Sequence, residues 1–215
     1  MKKVIKEELL LNNFSIRPKS RNFGFDRGKP IDRFYIEKFI ENNRAEITGH
    51  VLEVGDNFYT RTYGDNVTKS DVLNLISSNE ATIVGDLATG ENIPQGVFDC
   101  IILTQVIHVI YDIKMALNHT FNALKPGGTL LLTTSGLSSS CRTDFHGDYW
   151  RFTDTSLRML LNEFVDEERI EIDVFGNVAV AKAFLDGLAI HEIPEAILGI
   201  KDDHYQVILT AKVKK

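Results

Sequence analysis

Two apolar segments constrain the fold of this chain more than any other feature. Residues 98–103 and 129–132 read Phe-Asp-Cys-Ile-Ile-Leu and Thr-Leu-Leu-Leu, with almost no alternation between apolar and polar positions. A strand of this kind needs an apolar layer on both of its faces, as in a mostly parallel sheet with helices on each side. The two segments therefore predict an open, doubly wound, Rossmann-like α/β domain.

Predicted strands and helices alternate along the rest of the chain. Pro30 suits the first turn of a helix, where its missing N–H costs nothing, and an apolar stripe follows to residue 40. The most regular helical pattern covers residues 107–124 and ends at Lys-Pro-Gly-Gly. Further strands are predicted at residues 50–54, 66–70, 81–84, 170–175 and 205–213, and further helices at 153–164 and 179–188. We therefore expect seven strands, an N-terminal extension with a cap helix over residues 1–47, and the α/β domain over residues 48–215.

Composition limits the partners of the chain. Its 24 basic and 30 acidic residues give a net charge of −6, which argues against non-specific nucleic-acid binding. No window approaches the ~20 apolar residues of a membrane span, and charges within the first eight residues interrupt any signal peptide. Cys100 and Cys141 form neither a disulfide framework nor a metal-binding spacing. We expect a cytoplasmic protein with a small-molecule partner and no membrane, nucleic-acid or metal partner, either monomeric or homodimeric.

The residues that follow each strand are the candidates for a binding site, because doubly wound sheets bind ligands beyond the carboxyl ends of their strands. Glu53 and Gly55 end the first strand, where a glycine allows close approach to a ligand, although an ordinary tight turn also explains them. Asp71 after the second strand suits ribose hydroxyls or a helix cap. Asp86 after the third suits an adenine amino group or starts a turn.

Taken in order, these segments resemble the class I S-adenosylmethionine (SAM)-dependent methyltransferases that act on small molecules. The matching segments are residues 51–55, 85–87, 93–94 with 98–99, 106–108 and 124–128. The resemblance implies SAM as the cofactor and implies contacts at the first strand end, the ribose, the adenine and the methyl-transfer cleft. The residues that it assigns to these contacts are Glu53, Gly55, Asn57, Asp71, Asp86, Leu87, Thr104 and Gln105.

One departure from the family pattern lies in the loop after the first strand. The family places glycines two and four positions after the first glycine, whereas this chain has Asn57 and Tyr59 there. Because Asn tolerates left-handed backbone geometry, we expect Asn57 to replace the first of them. Tyr59 cannot mimic a glycine, so the loop must leave the cofactor by a different path.

Two segments outside the cofactor motifs are candidates for binding the methyl acceptor. The first 33 residues carry a net charge of +5, and Arg27, Arg33 and Tyr35 lie where a helix begins, which suits a phosphate or carboxylate. An exposed basic segment with local pairing of Asp32 and Arg33 explains them equally well. The loop over residues 142–152 follows the fifth strand and combines aromatic and charged residues, as an acceptor lid would, or as an anchor to the core would.

Two histidines are candidate bases for deprotonating an acceptor hydroxyl. His146 lies in the predicted lid with Asp148 as an orienting partner, whereas His108 lies beside a core stripe and also suits packing. The same lid contributes Tyr149 and Arg151 as candidate substrate-binding residues.

The favoured function is methyl transfer to a small molecule, with a hydroxyl of an anionic or sugar-like acceptor as the preferred target. A nicotinamide-dependent oxidoreductase is disfavoured because Gly-x-Gly-x-x-Gly is missing after the first strand. A methyltransferase-like binding module without catalysis is the other alternative, supported by the missing loop glycines.

Overall fold

A seven-stranded sheet organises the computed structural model, which describes residues 15–141 and 147–215. The strand order is β3-β2-β1-β4-β5-β7-β6; strands β1 to β5 pair in parallel, and β7 runs antiparallel to both of its neighbours. The strands are β1 (Gly49–Val54), β2 (Val67–Asn74), β3 (Ile83–Val84), β4 (Phe98–Thr104), β5 (Leu124–Ser135), β6 (Ile170–Phe175) and β7 (Ile208–Lys214). The predicted doubly wound α/β fold with seven strands is confirmed.

Helices cover both faces of the sheet. They are α1 (Ile31–Asn42), α2 (Phe58–Tyr63), α3 (Ile113–Ala123), α4 (Asp154–Leu161), α5 (Val178–Leu185) and α6 (Glu195–Leu198). Along β4, Cys100 and Ile102 pack into the layer that contains α1 and α5, whereas Ile101 and Leu103 pack into the layer that contains α3 and α4. This double burial explains the absence of alternation in the sequence. Because α1 shares the core of the sheet, the division at residue 47 stays a prediction.

The long helix predicted over residues 107–124 is wrong in its extent. A 3₁₀ turn (Ile107–Val109) comes first, and Ile110 is extended. Asp112 then caps α3, because its side chain accepts the Met115 N–H at 3.3 Å. The helix ends at Ala123, and β5 begins with the next residue, so the predicted breaker lies inside a paired strand.

The second strand is longer than the sequence predicted. Its expected end at Ser70 is wrong, because β2 continues through Asp71 to Asn74 and buries Val72 and Leu73. Only residues 75–82, without a helix, join β2 to the parallel strand β3, although such crossovers usually take a dozen or more residues. β3 has two residues and lies at the edge of the sheet.

None of the helices in the described parts of the chain has the length and apolar character needed to cross a bilayer.

Candidate active site

A cleft of about 470 Å³ opens where the strand order reverses, beyond the carboxyl ends of β1 and β4. Glu53, Gly55 and Asp56 line it from the end of β1, Thr104 from the end of β4, and Arg33 from the first turn of α1. Such reversal points are where doubly wound domains bind ligands. The structure therefore brings three of the predicted cofactor residues, Glu53, Gly55 and Thr104, into one cleft.

Gly55 has the backbone geometry that a close approach to a ligand requires. Its φ is +94°, in the region that favours glycine, and a Cβ added there would meet no atom within 4 Å. The turn is fixed from both sides: the Gly55 N–H donates to the Leu73 carbonyl at 3.1 Å, and its carbonyl accepts from Asn74 Nδ2 at 3.0 Å. A rigid turn with open space above it can accept a ligand at van der Waals distance.

Glu53 is buried and organises the start of α2. Its carboxylate accepts the backbone N–H groups of Tyr59 and Thr60 at 3.1 and 2.9 Å, and the Thr60 hydroxyl at 2.8 Å. Burial raises the pKa of Glu53, and these hydrogen bonds offset only part of that rise. The carboxylate thus satisfies helix N–H groups that would otherwise lack acceptors. Its predicted contact with a cofactor stays a prediction.

The loop after β1 departs from the expected geometry. Asn57 has a φ of −118°, so the expectation of a left-handed residue there is wrong; it lies instead at the N-cap position of α2. Tyr59 is buried in α2, and its hydroxyl accepts a hydrogen bond from Arg33 Nη1 at 2.7 Å. Burial raises the pKa of Tyr59 to about 12. The chain thus leaves the turn as a helix that begins at Phe58, which is the departure from the family loop expected from a tyrosine at position 59.

Asp71 does not lie at the cofactor edge of the sheet, which corrects its assignment to ribose. It lies in the middle of β2, where its carboxylate accepts from His50 Nε2 at 2.6 Å, Lys69 Nζ at 2.8 Å and the Thr82 hydroxyl at 2.8 Å. Burial raises the pKa of Asp71, but these donors outweigh burial and hold the pKa below its ordinary value. The carboxyl end of β2 is occupied by Asn74.

Asp86 and Leu87 follow β3 and differ in what they expose. Asp86 Oδ1 accepts the Ala88 N–H at 2.7 Å, which closes a turn, while Oδ2 receives no hydrogen bond from the described residues. The Leu87 side chain is buried in the apolar core, and its carbonyl faces His119 Nδ1 at 2.7 Å. Asp86 thus keeps a free acceptor, whereas the predicted packing of Leu87 against adenine loses support.

A second cavity, of about 280 Å³, lies beside the cleft, and Arg33 lines both. Gln105 opens into this second cavity, while its neighbour Thr104 opens into the cleft. Gln105 has a φ of +57° and joins β4 to β5: it accepts from the Ser135 hydroxyl at 2.6 Å and donates to the Thr133 hydroxyl at 3.3 Å. The cavity is lined further by Phe23, Phe25, Asp32, His108, Cys141, Arg151 and Phe184.

Three of the predicted acceptor-side residues, Arg33, His108 and Arg151, meet in this cavity. Asp148 binds the Arg151 guanidinium through both oxygens, at 2.5 and 2.6 Å, and accepts the Cys141 N–H at 2.7 Å. The hydrogen bonds from Arg151 hold the pKa of Asp148 below its ordinary value. His146, the predicted base, lies outside the described residues, so the pairing of Asp148 with it stays a prediction.

The structure separates three other predicted substrate-binding residues from the cavity. Arg27 forms a salt bridge with Glu192, with Nε and Oε2 2.9 Å apart. Tyr35 is 1% exposed and donates to the Leu198 carbonyl at 3.0 Å, so it is a core residue and its assignment is corrected. Tyr149 is half-exposed and packs edge-on against Tyr111.

Asp32 lines the cavity, although the sequence analysis assigned it no part in binding or catalysis. Asp32 is 9% exposed, in the first turn of α1, and its Oδ1 accepts the Arg33 N–H at 2.8 Å. Acidic residues are common in the first turn of solvent-exposed helices, so the local sequence does not distinguish Asp32 from an ordinary helix-capping residue. It lines the cavity together with residues from distant parts of the chain, such as Gln105 and Phe184.

The chain matches the profile of a family described as "Methyltransferase domain" over residues 20–170. Among curated proteins it is 32% identical over 80 residues to "Probable polyketide synthase 5" of Dictyostelium discoideum. That match covers 36% of this chain and spans only 3% of the length of the relative.

Among solved structures, the chain is similar to 1,6-didemethyltoxoflavin-N1-methyltransferase of Burkholderia thailandensis, solved with 1,6-didemethyltoxoflavin and S-adenosylhomocysteine (SAH). The TM-score is 0.56 at 14% identity, over 87% of this chain and 79% of that one. It is also similar to the (4+2)-cyclase SpnF, with a TM-score of 0.55 at 16% identity over 94% and 87% of the two chains. At these identities the likeness concerns the fold.

Proposed function

Because the chain belongs to the methyltransferase-domain family, we propose that it transfers a methyl group from SAM, held in the cleft at Gly55, to a small molecule in the cavity beside it. Family membership confirms the identification as a class I, SAM-dependent methyltransferase that was made from the sequence. When bound, SAM supplies a methyl group on a positively charged sulfur. The observation that carries the proposal is the meeting of cleft and cavity at Arg33.

The residues of the cleft fit SAM. Gly55 offers open space beside a rigid turn, which allows the backbone to approach the cofactor closely. Arg33 is half-buried, and no carboxylate of the described residues lies within 4.0 Å of its guanidinium, so it suits the carboxylate of the methionine moiety. The free Oδ2 of Asp86 suits the adenine amino group. In place of Asp71, we propose that Glu80 approaches the ribose, since it lines a smaller cleft next to Asp56.

The charges of the acceptor side argue for a different acceptor from the anionic or sugar-like one expected. Arg27 is paired with Glu192, Lys29 with Glu37, and Arg151 with Asp148. These ion pairs neutralise most of the positive charge that had favoured an anionic acceptor. The cavity wall includes three phenylalanines, at positions 23, 25 and 184, which favour an aromatic or otherwise apolar small molecule.

Saturating SAM is expected to raise the thermal midpoint of the protein, whereas NAD is not. A ligand present at one hundred times its dissociation constant adds about 2.7 kcal/mol to the free energy of unfolding. Differential scanning calorimetry with SAM, SAH and NAD in separate samples is the measurement. If SAM and SAH leave the midpoint unmoved, the cofactor assignment is overturned. Binding without formation of SAH would favour the alternative of a binding module.

Replacing Asp86 by alanine is expected to weaken SAM binding by about 1–3 kcal/mol, because the adenine amino group would lose its hydrogen-bond acceptor. Calorimetric titration with SAM is the measurement. Asp202→Ala is the matched control, because Asp202 Oδ1 accepts the His204 N–H two residues on, as Asp86 does with Ala88. Equal losses of stability in both variants, with SAM affinity unchanged, would reduce Asp86 to a turn residue.

A further inference from the structure

We propose that Asp32 is the catalytic base, and that it takes a proton from an aromatic hydroxyl or a ring N–H of the acceptor. The proposal rests on the proposed function and adds to it the chemical class of the acceptor. Asp32 is the one buried carboxylate among the described residues that line the cavity.

The first argument is the small number of donors around the Asp32 carboxylate. The residue is nine-tenths buried, Oδ1 accepts the backbone N–H of Arg33, and no side chain in the described part of the chain donates to either oxygen. A carboxylate withdrawn from water is stabilised by each hydrogen bond that it accepts. Because Asp32 lines the cavity, a donor that enters the cavity can add such a bond.

A comparison with Asp154 separates this arrangement from ordinary helix capping. Asp154 lies in the first turn of α4, and its Oδ1 accepts the Thr155 N–H at 2.7 Å, as Asp32 does with Arg33. Asp154 also accepts from Gln206 Nε2 at 3.0 Å, and this bond lowers its pKa. Burial instead raises the pKa of Asp32, despite the neighbouring Arg33. The helix start alone therefore does not account for the environment of Asp32.

The second argument is the aromatic part of the cavity wall. Phe23 and Phe184 have their ring centroids 6.2 Å apart, and the Arg33 guanidinium lies 5.7 Å from the Phe25 centroid. Flat apolar walls with one buried acceptor group select a planar molecule that carries a hydrogen-bond donor. A cavity of about 280 Å³ suits an acceptor of one or two rings.

The proton step balances with the cofactor that the proposed function supplies. The acceptor O–H or N–H bond breaks, and its proton moves to Asp32 Oδ2. The freed electron pair forms the new bond to the methyl carbon, while the carbon–sulfur bond breaks and leaves its pair on sulfur. Asp32 then returns the proton to water. Among the described residues of the cavity wall, the other titratable groups are Arg33, His108, Cys141 and Arg151.

The activity test measures SAH formation from SAM with a panel of one- and two-ring phenols and azoles. Asp32→Asn keeps the shape of the side chain and should lower kcat/KM by about 100-fold or more, with the SAM dissociation constant unchanged. Asp154→Asn is the matched control and should leave kcat/KM unchanged. Full activity of Asp32→Asn would overturn the proposal that Asp32 is the catalytic base. SAM binding without turnover of any panel member overturns the acceptor class, whereas absent SAM binding is a failure of the proposed function.

The second readout is stability against pH, which needs no acceptor. A carboxyl whose folded pKa is raised stabilises the protein below its unfolded pKa, and that contribution is lost as pH rises through the folded pKa. Asp32→Asn should therefore match the wild type near pH 4 and have a higher thermal midpoint at pH 7. Asp154→Asn should show no such gain. A lower midpoint of Asp32→Asn at every pH, or its failure to fold, assigns Asp32 to the helix cap and overturns the proposal.

Discussion

Replacing Gly55 by valine is expected to lower SAM affinity by at least ~100-fold while the domain stays folded. The new side chain would occupy the open space above the turn, where we propose that the cofactor approaches the backbone. The positive φ adds strain, which costs about 1–3 kcal/mol of stability for a β-branched residue. Calorimetric titration with SAM gives the affinity, and urea denaturation gives the free energy of unfolding.

Gly127→Val provides the control for this strain. Gly127 has a φ of +79°, and an added Cβ would also meet no atom within 4 Å, but it lies at the opposite end of the sheet, near the start of β5. We expect a similar loss of stability and normal SAM binding. If Gly55→Val binds SAM as the wild type does, the cofactor does not occupy the cleft.

Replacing Tyr59 by alanine is expected to lower the free energy of unfolding by about 3–5 kcal/mol, because a buried aromatic side chain leaves a cavity. Tyr59→Phe keeps the ring and removes only the acceptor of the Arg33 hydrogen bond, at a cost of about 0.5–1.5 kcal/mol. If Arg33 binds the cofactor carboxylate, Tyr59→Phe should also weaken SAM binding. Urea denaturation and calorimetric titration measure the two effects.

Tyr63→Phe is the control for Tyr59→Phe. Tyr63 stacks on Tyr59 from the same helix, with ring centroids 6.4 Å apart, and its replacement leaves the bond between Tyr59 and Arg33 in place. SAM affinity should be unchanged in Tyr63→Phe. Unchanged affinity in Tyr59→Phe as well would contradict the role of Tyr59 in holding Arg33.

The sheet was predictable because its strongest signals are local. Buried strands such as β4 need apolar residues on both faces, so their runs are visible without knowledge of partners. The second strand was misjudged because Lys69 and Asp71 make it look polar. Asp71 is tolerated inside a strand only because His50 and Thr82 come from neighbouring segments to bind it.

The acceptor side was less predictable because its charges are paired across long sequence distances. Arg27 is neutralised by Glu192, 165 residues further along the chain, and no local pattern announces that pair. Tyr35 follows the helical stripe that buries it, but a nearby cluster of bases favoured a binding role. The sequence suggested that Asp32 pairs with Arg33, and Asp32 does accept the backbone N–H of Arg33. Its burial could not be predicted from that local pairing.

The position of β7 between β5 and β6 has a consequence for how the chain acquires its structure. During synthesis, β6 emerges well before β7, the strand with which it pairs. Residues 170–175 therefore have no partner for their inter-strand hydrogen bonds until residues 208–214 have been made. Strands so far apart in sequence pair slowly, because the entropic cost of closing the long loop arises before the stabilising contacts between the strands have formed. Until then, β5 offers an unpaired edge to any other extended segment. We therefore expect nascent chains halted between β6 and β7 to need chaperone protection that the finished domain does not.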